Sequence, residues 1–597
     1  MEFGLAAGPG ASGTGTTNTE TATFSNGGGT TQAITDSAIN RNLGTIAYTN
    51  TVTGSGGLGN FTIGSGSDTL YLHDFNNSST ANISETGTSN SSLNETIASN
   101  IMATGANGTS ANDVRISTAN GFAGTINLSG TLSTVATGAT SISDFKIVTS
   151  GTDTIPQTSN VVELSGLIQD SQSGGAKVSV THARDGVVLV TNGNSTYSGG
   201  YTQGNNDDDL NSITELGASS TGPDGAPTSG PLGTGTFSLD GGTIESDGTT
   251  ARTIANNWIT TGNGSSSLTW VSTSSVYGFG DATNNGTLTF TGAGTLGGFA
   301  GNAVIVNSTT IWSGNVGGTN VGNLLKGGTG TLVLSGKNTY YGGSTVAAGA
   351  LVLGANGGSS VTGTGSLSVA QGATLAGTGV SAGTATGAHF TIGGTTGTGQ
   401  ATVLVGHTSA TDLNTTSTMT LTAVAASTIE NANLSFNLDT TTPGSGNQLA
   451  VGATAIAFGN GSVGVAPVTL TLNLQGSSII APDTAYVLIA GNVGVGDHIT
   501  QFSGLDLATD PADIVTLSDG ATETRILNSN FGGSGNLTVS FGAQNGYYGE
   551  NSYLFLYQDA STGADNIEVE VVPEPGTWAL MLGGFTMLMF WQRRRRN

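Results

Sequence analysis

The chain has 597 residues, too many for one compact core, with 98 glycines, 11 prolines and no cysteine. Charged residues are 9 % of it, against a usual ~25 %, and 13 basic against 38 acidic groups give a formal charge of -25. The lack of cysteine excludes disulfides, thiolate metal sites and cysteine nucleophiles, and the excess acid discounts nucleic acid and anionic lipid as partners of the body.

Hydrophobic residues make up 36 % of the chain, set among abundant Thr, Ser, Asn and Gly. Disordered chains combine low hydrophobicity with high charge. This mixture instead suits many short strands closed by tight turns. Residues 1–30 are rich in Gly and Thr and poor in apolar side chains. They contain neither a basic segment nor an apolar run of a secretory signal, and the reading taken for this start is truncation. Gly54 to Gly59 fits G-x-G-x-x-G, but at this glycine content chance supplies about two or three such matches, and no helix follows.

From residue 31 to about 390 the chain is a repeat array. Leu164-Ser165-Gly166 answers Trp312-Ser313-Gly314, and Val187 to Val190 answers Thr331 to Leu334. Ser195-Thr196-Tyr197 with Gly199-Gly200 answers Asn338-Thr339-Tyr340 with Gly342-Gly343, and Lys177 loosely answers Lys326. Phrases such as Asn285 to Phe290 and Gly124 to Leu128 share the cadence. Strict alternation gives each strand one apolar face and one Thr or Ser face, which a single rung cannot bury alone. Stacked rungs of roughly 20–25 residues bury it together and pair the strand backbones. The expected fold is all-β: a parallel β-helix (β-solenoid), a C-terminal β-rich capping region and one C-terminal transmembrane helix. Residues 308–353 also resemble the autotransporter-associated β-strand repeat, strongly over 308–380 and in degenerate form over 160–245. The resemblance implies a right-handed β-helical passenger at a bacterial surface. An autotransporter would end in a membrane β-barrel, which this chain's ending does not resemble, so the likeness carries over to the passenger alone.

Few residues suggest chemistry. Asp207, Asp209 and Asn211 mimic the first ligands of a calcium loop, but Ser212 and Ala218 stand where that loop needs Gly and Glu, so they are a weak calcium candidate and otherwise a solvated loop. Gly336-Lys337 lacks the flanking Gly and Ser/Thr of a P-loop and reads as a turn. The histidines, 73, 182, 389, 407 and 498, are scattered and read as solvated strand or loop residues, not a zinc site. The nine basic residues outside the tail are far apart, and no cofactor and no enzyme activity are expected. Two Thr-x-Thr rows, at 287–291 and 418–422, do not recur at a fixed rung interval, so an ice-binding solenoid ranks below a β-helical lyase or glycosidase as an alternative.

From about 391 to 570 the strands become longer and more aromatic, read as further rungs or a capping β-domain. The chain closes with Pro573-Glu574-Pro575, an uncharged segment through Trp591, and Arg593, Arg594, Arg595 and Arg596. From Gly576 to Trp591 a helix would reach roughly 24 Å, short of a ~30 Å hydrocarbon core, so thinning or arginine snorkelling is needed. The basic run should stay cytoplasmic. Residues 571–597 resemble the PEP-CTERM sorting signal of Gram-negative bacteria. That resemblance implies a partner exosortase, transient contact with the inner membrane, removal of the tail and release of the body to the cell surface or exopolysaccharide matrix. Its contacts there would be an extracellular polysaccharide or surface. The expected function is a structural or adhesive exported protein.

Overall fold

In the computed structural model the described residues are 60–74, 81–85, 94–105, 114–118, 124–136, 138–149, 160–172, 175–204, 210–262, 275–297, 301–318, 322–354, 361–394, 399–408, 416–439, 441–453, 455–458, 468–475 and 484–491, with strands at 11–12, 21–24, 32–34 and 41–48, further short strands between 502 and 573, and a helix and its end at 575–595. The chain divides into two units, Met1–Tyr341 and Gly342–Asn597. Parallel pairing runs through 390 without a change, since Leu367 opposes Phe390 and Thr391 opposes Thr428.

The first unit is β-helix-like. Its strands return at intervals to the same few sheets and pair in parallel from rung to rung, apart from Ala11–Ser12, which pairs antiparallel with Arg41–Leu43. One sheet holds eleven strands from Thr21–Phe24 to Val316–Gly318. A second runs from Gln32–Ile34 through Ser212–Leu216 and Thr243–Ser246 to Leu324–Gly327. A third place in the rung is filled by Arg41–Leu43, Thr69–Asp74, Asn100–Gly105 and Leu132–Thr134. From Arg252–Ile254 it is filled by a separate ladder that continues with Leu288–Phe290, Thr309–Trp312 and Thr331–Leu334.

In-register pairing turns repeated positions into columns. In the eleven-stranded sheet Ile46, Ile83, Ile116 and Ile147 are successive partners, and all are buried. Burying one such side chain contributes about 1.5–3 kcal/mol. Across the interior, aromatic side chains from different sheets meet: Trp258 and Trp312 lie 4.7 Å apart, and Phe279 sits 6.1 Å from Trp312.

Rung length varies more than the sequence suggests. Val180 pairs with Tyr201, 21 residues on, and Thr45 with Asn82, 37 residues on. The ladder requires only that strands meet, so corners absorb insertions. The regular stretch coincides with the strongest repeat phrases: Gly294 meets Val316, Asn302 meets Leu324 and Thr309 meets Thr331, each 22 residues apart. The long-range phrase matching fails in detail. Thr196 N–H bonds to the Ile168 carbonyl, which continues the Leu132 sheet, whereas Thr339 N–H bonds to Val316 of the eleven-stranded sheet. The two Tyr-Gly-Gly phrases therefore turn different corners. Lys177 is exposed at the start of its strand, while Lys326 is buried with its Nζ donating to the carbonyls of Gly327 and Gly328, so these lysines are not equivalent.

The Ser-Gly corners have a steric cause. An added Cβ on Gly336 would strike the Gly314 carbonyl, one on Gly314 the Gly292 carbonyl, and one on Gly166 the Gly130 carbonyl. Glycine is needed there for close rung approach, not for an unusual φ.

Three ladders carry most of the strands of the second unit, beside an antiparallel pair at Val515–Thr516 and Thr522–Glu523. One links Ser344–Val346, Leu367–Val369, Phe390–Gly393, Ser427–Glu430, Ile456–Phe458 and Phe502–Ser503. Another links Ala350–Leu353 to Leu537–Phe541 by way of Ala432–Asp439 and Val468–Gln475. The last begins parallel, then takes on the antiparallel strands Asn566–Pro573, Ser552–Asp559 and Ile526–Leu527.

The expected transmembrane helix is corrected. A helix spans Pro575–Arg594, but among the described residues no helix is long and apolar enough to cross a membrane. Its uncharged part ends at Trp591, and Gln592 and the arginines fill the last turn.

The corners give a first test. Gly314→Ala should destabilise the first unit by about 1–3 kcal/mol, the range for forced overpacking, read as a lower urea midpoint. Gly317→Ala, whose Cβ would meet nothing nearer than Thr339 Oγ1 at 3.9 Å, should leave the midpoint unchanged.

Candidate functional site

The terminal motif lies at a strand–helix junction. Pro573 is the last residue of Asn566–Pro573, opposite Ser552. Glu574 lies outside the described residues. Pro575 opens the helix, where its missing N–H leaves no extra orphan. Arg593 and Arg594 occupy the last turn, where positive charge complements the helix dipole. Arg595 lies 4.2 Å from the Trp591 ring centroid, and Arg596 is outside the described residues. The consecutive side chains Met587 to Trp591 are 59–79 % exposed. Consecutive residues point to every side of a helix, so this end packs no face against the body.

The calcium candidate gains no support. Asp207 and Asp209 fall outside the described residues, and the Asn211 carbonyl accepts the Gly186 N–H within the rung pairing. Among the described residues no group of three or more His, Asp or Glu is placed to hold a metal ion.

Two histidines depart from expectation, since His182 and His407 are buried; only His389 is exposed, and the His73 and His498 side chains lie outside the described set. His182 takes the place in the interior column that Ile147 holds one rung earlier, and Gln203 follows it. His182 Nδ1 lies 3.1 Å from Thr214 Oγ1 and its Nε2 lies 3.4 Å from Thr149 Oγ1. Thr214 donates to the Gln203 carboxamide oxygen and meets the Tyr201 hydroxyl at 2.8 Å, and Gln203 Nε2 donates to the Ser212 carbonyl at 2.7 Å. Burial lowers the imidazole to about 3 despite its bond to Gln203, so it is neutral at ordinary pH. This is a dry, interlocked polar plug inside an apolar column.

Carboxyl groups are brought together at two places that the sequence reading missed. Glu215 and Glu245 are register partners on neighbouring rungs. Asn284 Nδ2 donates to both, at 3.1 and 2.7 Å. Burial pushes Glu245 up to about 8; the Asn284 bond opposes this, and the Asp281 and Glu215 charges add to it. Burial also raises Glu215. The available signal was the pair of strand phrases Ser212-Ile213-Thr214-Glu215-Leu216 and Thr243-Ile244-Glu245-Ser246, which place a glutamate at the same outward position. Nearer the N-terminus, Glu85 and Glu95 are buried beside Tyr48. Glu95 Oε2 accepts the Phe61 N–H at 2.8 Å. Burial, with a smaller push from the Glu85 charge, raises Glu95 to about 7 against the opposing Phe61 bond.

The threonine rows do not stack into a ladder. Thr289 has Thr253 and Ile311 as partners, and Thr420 has Val380 and Ala450.

No family model matches the chain, and no curated protein matches it.

The buried Glu95 predicts a sign. A raised carboxyl binds its proton more tightly folded than unfolded, so its share of stability is full in acid and is lost as pH rises from the ordinary carboxyl range through about 7. Urea midpoints on either side of that window should fall with rising pH in the native chain. In Glu95→Gln that fall should be smaller.

Proposed function

We propose that the chain is an exported structural or adhesive protein of a bacterial cell surface or exopolysaccharide matrix, a β-solenoid body delivered by an exosortase that reads its C-terminal tail. The observation that carries this reading is the C-terminal helix: its described end, from residue 584, is exposed and carries apolar side chains on every side from Met587 to Trp591, it follows a proline-flanked junction, and it is closed by arginines. An exposed apolar surface of this kind needs an apolar partner. Because the uncharged part is short, membrane contact would be shallow and transient, and the arginines would remain on the side of synthesis. The body would act by shape, offering polysaccharide outward columns of Thr, Ser and Asn such as Thr402, Asn433 and Thr469. Its acidity favours neutral or cationic surfaces.

The test is fractionation of a tagged full chain in cells with and without an exosortase. The body should reach the surface fraction only when the enzyme is present, and Pro573→Ala with Pro575→Ala should hold the precursor back. A body that stays in the cytoplasm in both strains overturns the reading.

One observation favours a second reading, a β-helical glycosidase. Glu215 and Glu245 form the side-by-side carboxyl pair that such chemistry uses, and one of them is held protonated. Glu245 is only 2 % exposed, so substrate would have to displace the Asn284 loop. Release of reducing ends from a polysaccharide panel, abolished by Glu245→Gln, is the outcome this reading requires.

A further inference from the structure

Residues 281–285 connect the strands Ser275–Phe279 and Leu288–Phe290 and lie against the outer side of the Glu215–Glu245 sheet. The loop is internally braced: Asp281 Oδ1 accepts the Thr283 and Asn284 N–H groups at 2.6 and 2.5 Å. It is held down at its base by the Gly286 N–H on the Gly248 carbonyl at 2.9 Å. Between these, one neutral amide, Asn284 Nδ2, bridges the two glutamates.

The charges around this bridge are unbalanced. Glu215 lies on Ser212–Leu216 and Glu245 on Thr243–Ser246, with Asp247 just beyond it and Asp281 on the loop. Among the described residues the cation facing the group is Arg252, and it is engaged elsewhere. Its Nη2 lies 2.5 Å from Asp247 Oδ1, and its Nε donates to the Leu216 carbonyl at 3.0 Å. Partners on paired strands sit ~4.8 Å apart, close enough that two carboxylates, one partly and one fully buried, share a proton rather than both ionise. The Asn284 amide donates to both oxygens and by itself favours their ionised form, so the force that opens the loop comes from burial of the pair and from the Asp281 charge, which a neutral amide cannot offset.

We propose that loop 281–285 is a proton-dependent latch, closed by Asn284 while the Glu215–Glu245 pair holds one proton and released when both carboxyls ionise. The second negative charge, on Glu245, then stands against Glu215 and against Asp281 on the loop itself, while Asp247 is paired with Arg252. Release uncovers Glu245, which the closed loop shields from water. The sign follows from the raised affinity of the pair for its proton: closed in acid and at neutrality, open as pH rises past about 8. The latch is independent of the export reading.

The chain has no cysteine, so Ala282→Cys in the full chain carries a single nitroxide label on the exposed part of the loop. Its electron paramagnetic resonance line should be immobile at about pH 6 and become mobile with a midpoint near pH 8, whereas the same label in Glu245→Gln should stay immobile to about pH 10. Asn284→Ala should be mobile throughout. A line that stays immobile in the otherwise native chain, or one that loosens with the same midpoint in Glu245→Gln, overturns the proposal. So does an Asn284→Ala label as immobile as the native one. Should Glu245→Gln lose its β circular dichroism, Glu215→Gln replaces it, with the same expected loss of the transition.

Discussion

The parallel hydrogen-bond ladder between rungs is the constraint on which the rest of this structure depends. Each strand satisfies its backbone groups on the strand before and the strand after. That fixes register, and register stacks residues of like position whatever lies between them in sequence. Ile46, Ile83, Ile116 and Ile147 become one column because their strands pair, although 31 to 37 residues separate neighbours. The glycines at 292, 314 and 336 stack by the same rule, and there the rule leaves no room for a side chain.

Stacking concentrates chemistry as readily as it concentrates apolar surface. A single outward glutamate on a strand is a solvated charge. Two in register become a coupled pair whose ionisation is resisted by burial and by each other, as at Glu215 and Glu245. Inward polar residues meet the same pressure. His182 sits one rung beyond the isoleucines of the column, and burial holds it neutral. Burial disfavours the charged form in both places, so it raises an acid and lowers a base. Raised carboxyls favour the folded state in acid, while a lowered imidazole favours it above its ordinary value of 6.5 and loses that contribution as pH falls to about 3.

Tail and body rest on different physics. The tail is read from a helix whose exposed C-terminal half presents apolar side chains in all directions and ends in fixed positive charge. The body is read from repetition, which builds extended polar faces with few cations. Neither of these two readings uses a catalytic group.

Alternation of apolar and Thr/Ser positions, glycine-closed strand phrases and the terminal proline–apolar–arginine order were legible in the sequence alone. They determined an all-β body of short parallel strands and a separate C-terminal helix, because period and turn chemistry are local properties. Rung lengths, the corner each Tyr-Gly-Gly phrase turns, the burial of Lys326 beside an exposed Lys177 and the sinking of His182 into the core were not legible. Nor was the pairing of Glu215 with Glu245. Each depends on which strand lies above which, and irregular corners hide that register from any fixed-period comparison. The sequence by itself determined what kinds of faces the strands would have; only the tertiary structure decided which side chains share a column, since lateral hydrogen bonding, and not spacing along the chain, sets who stacks on whom.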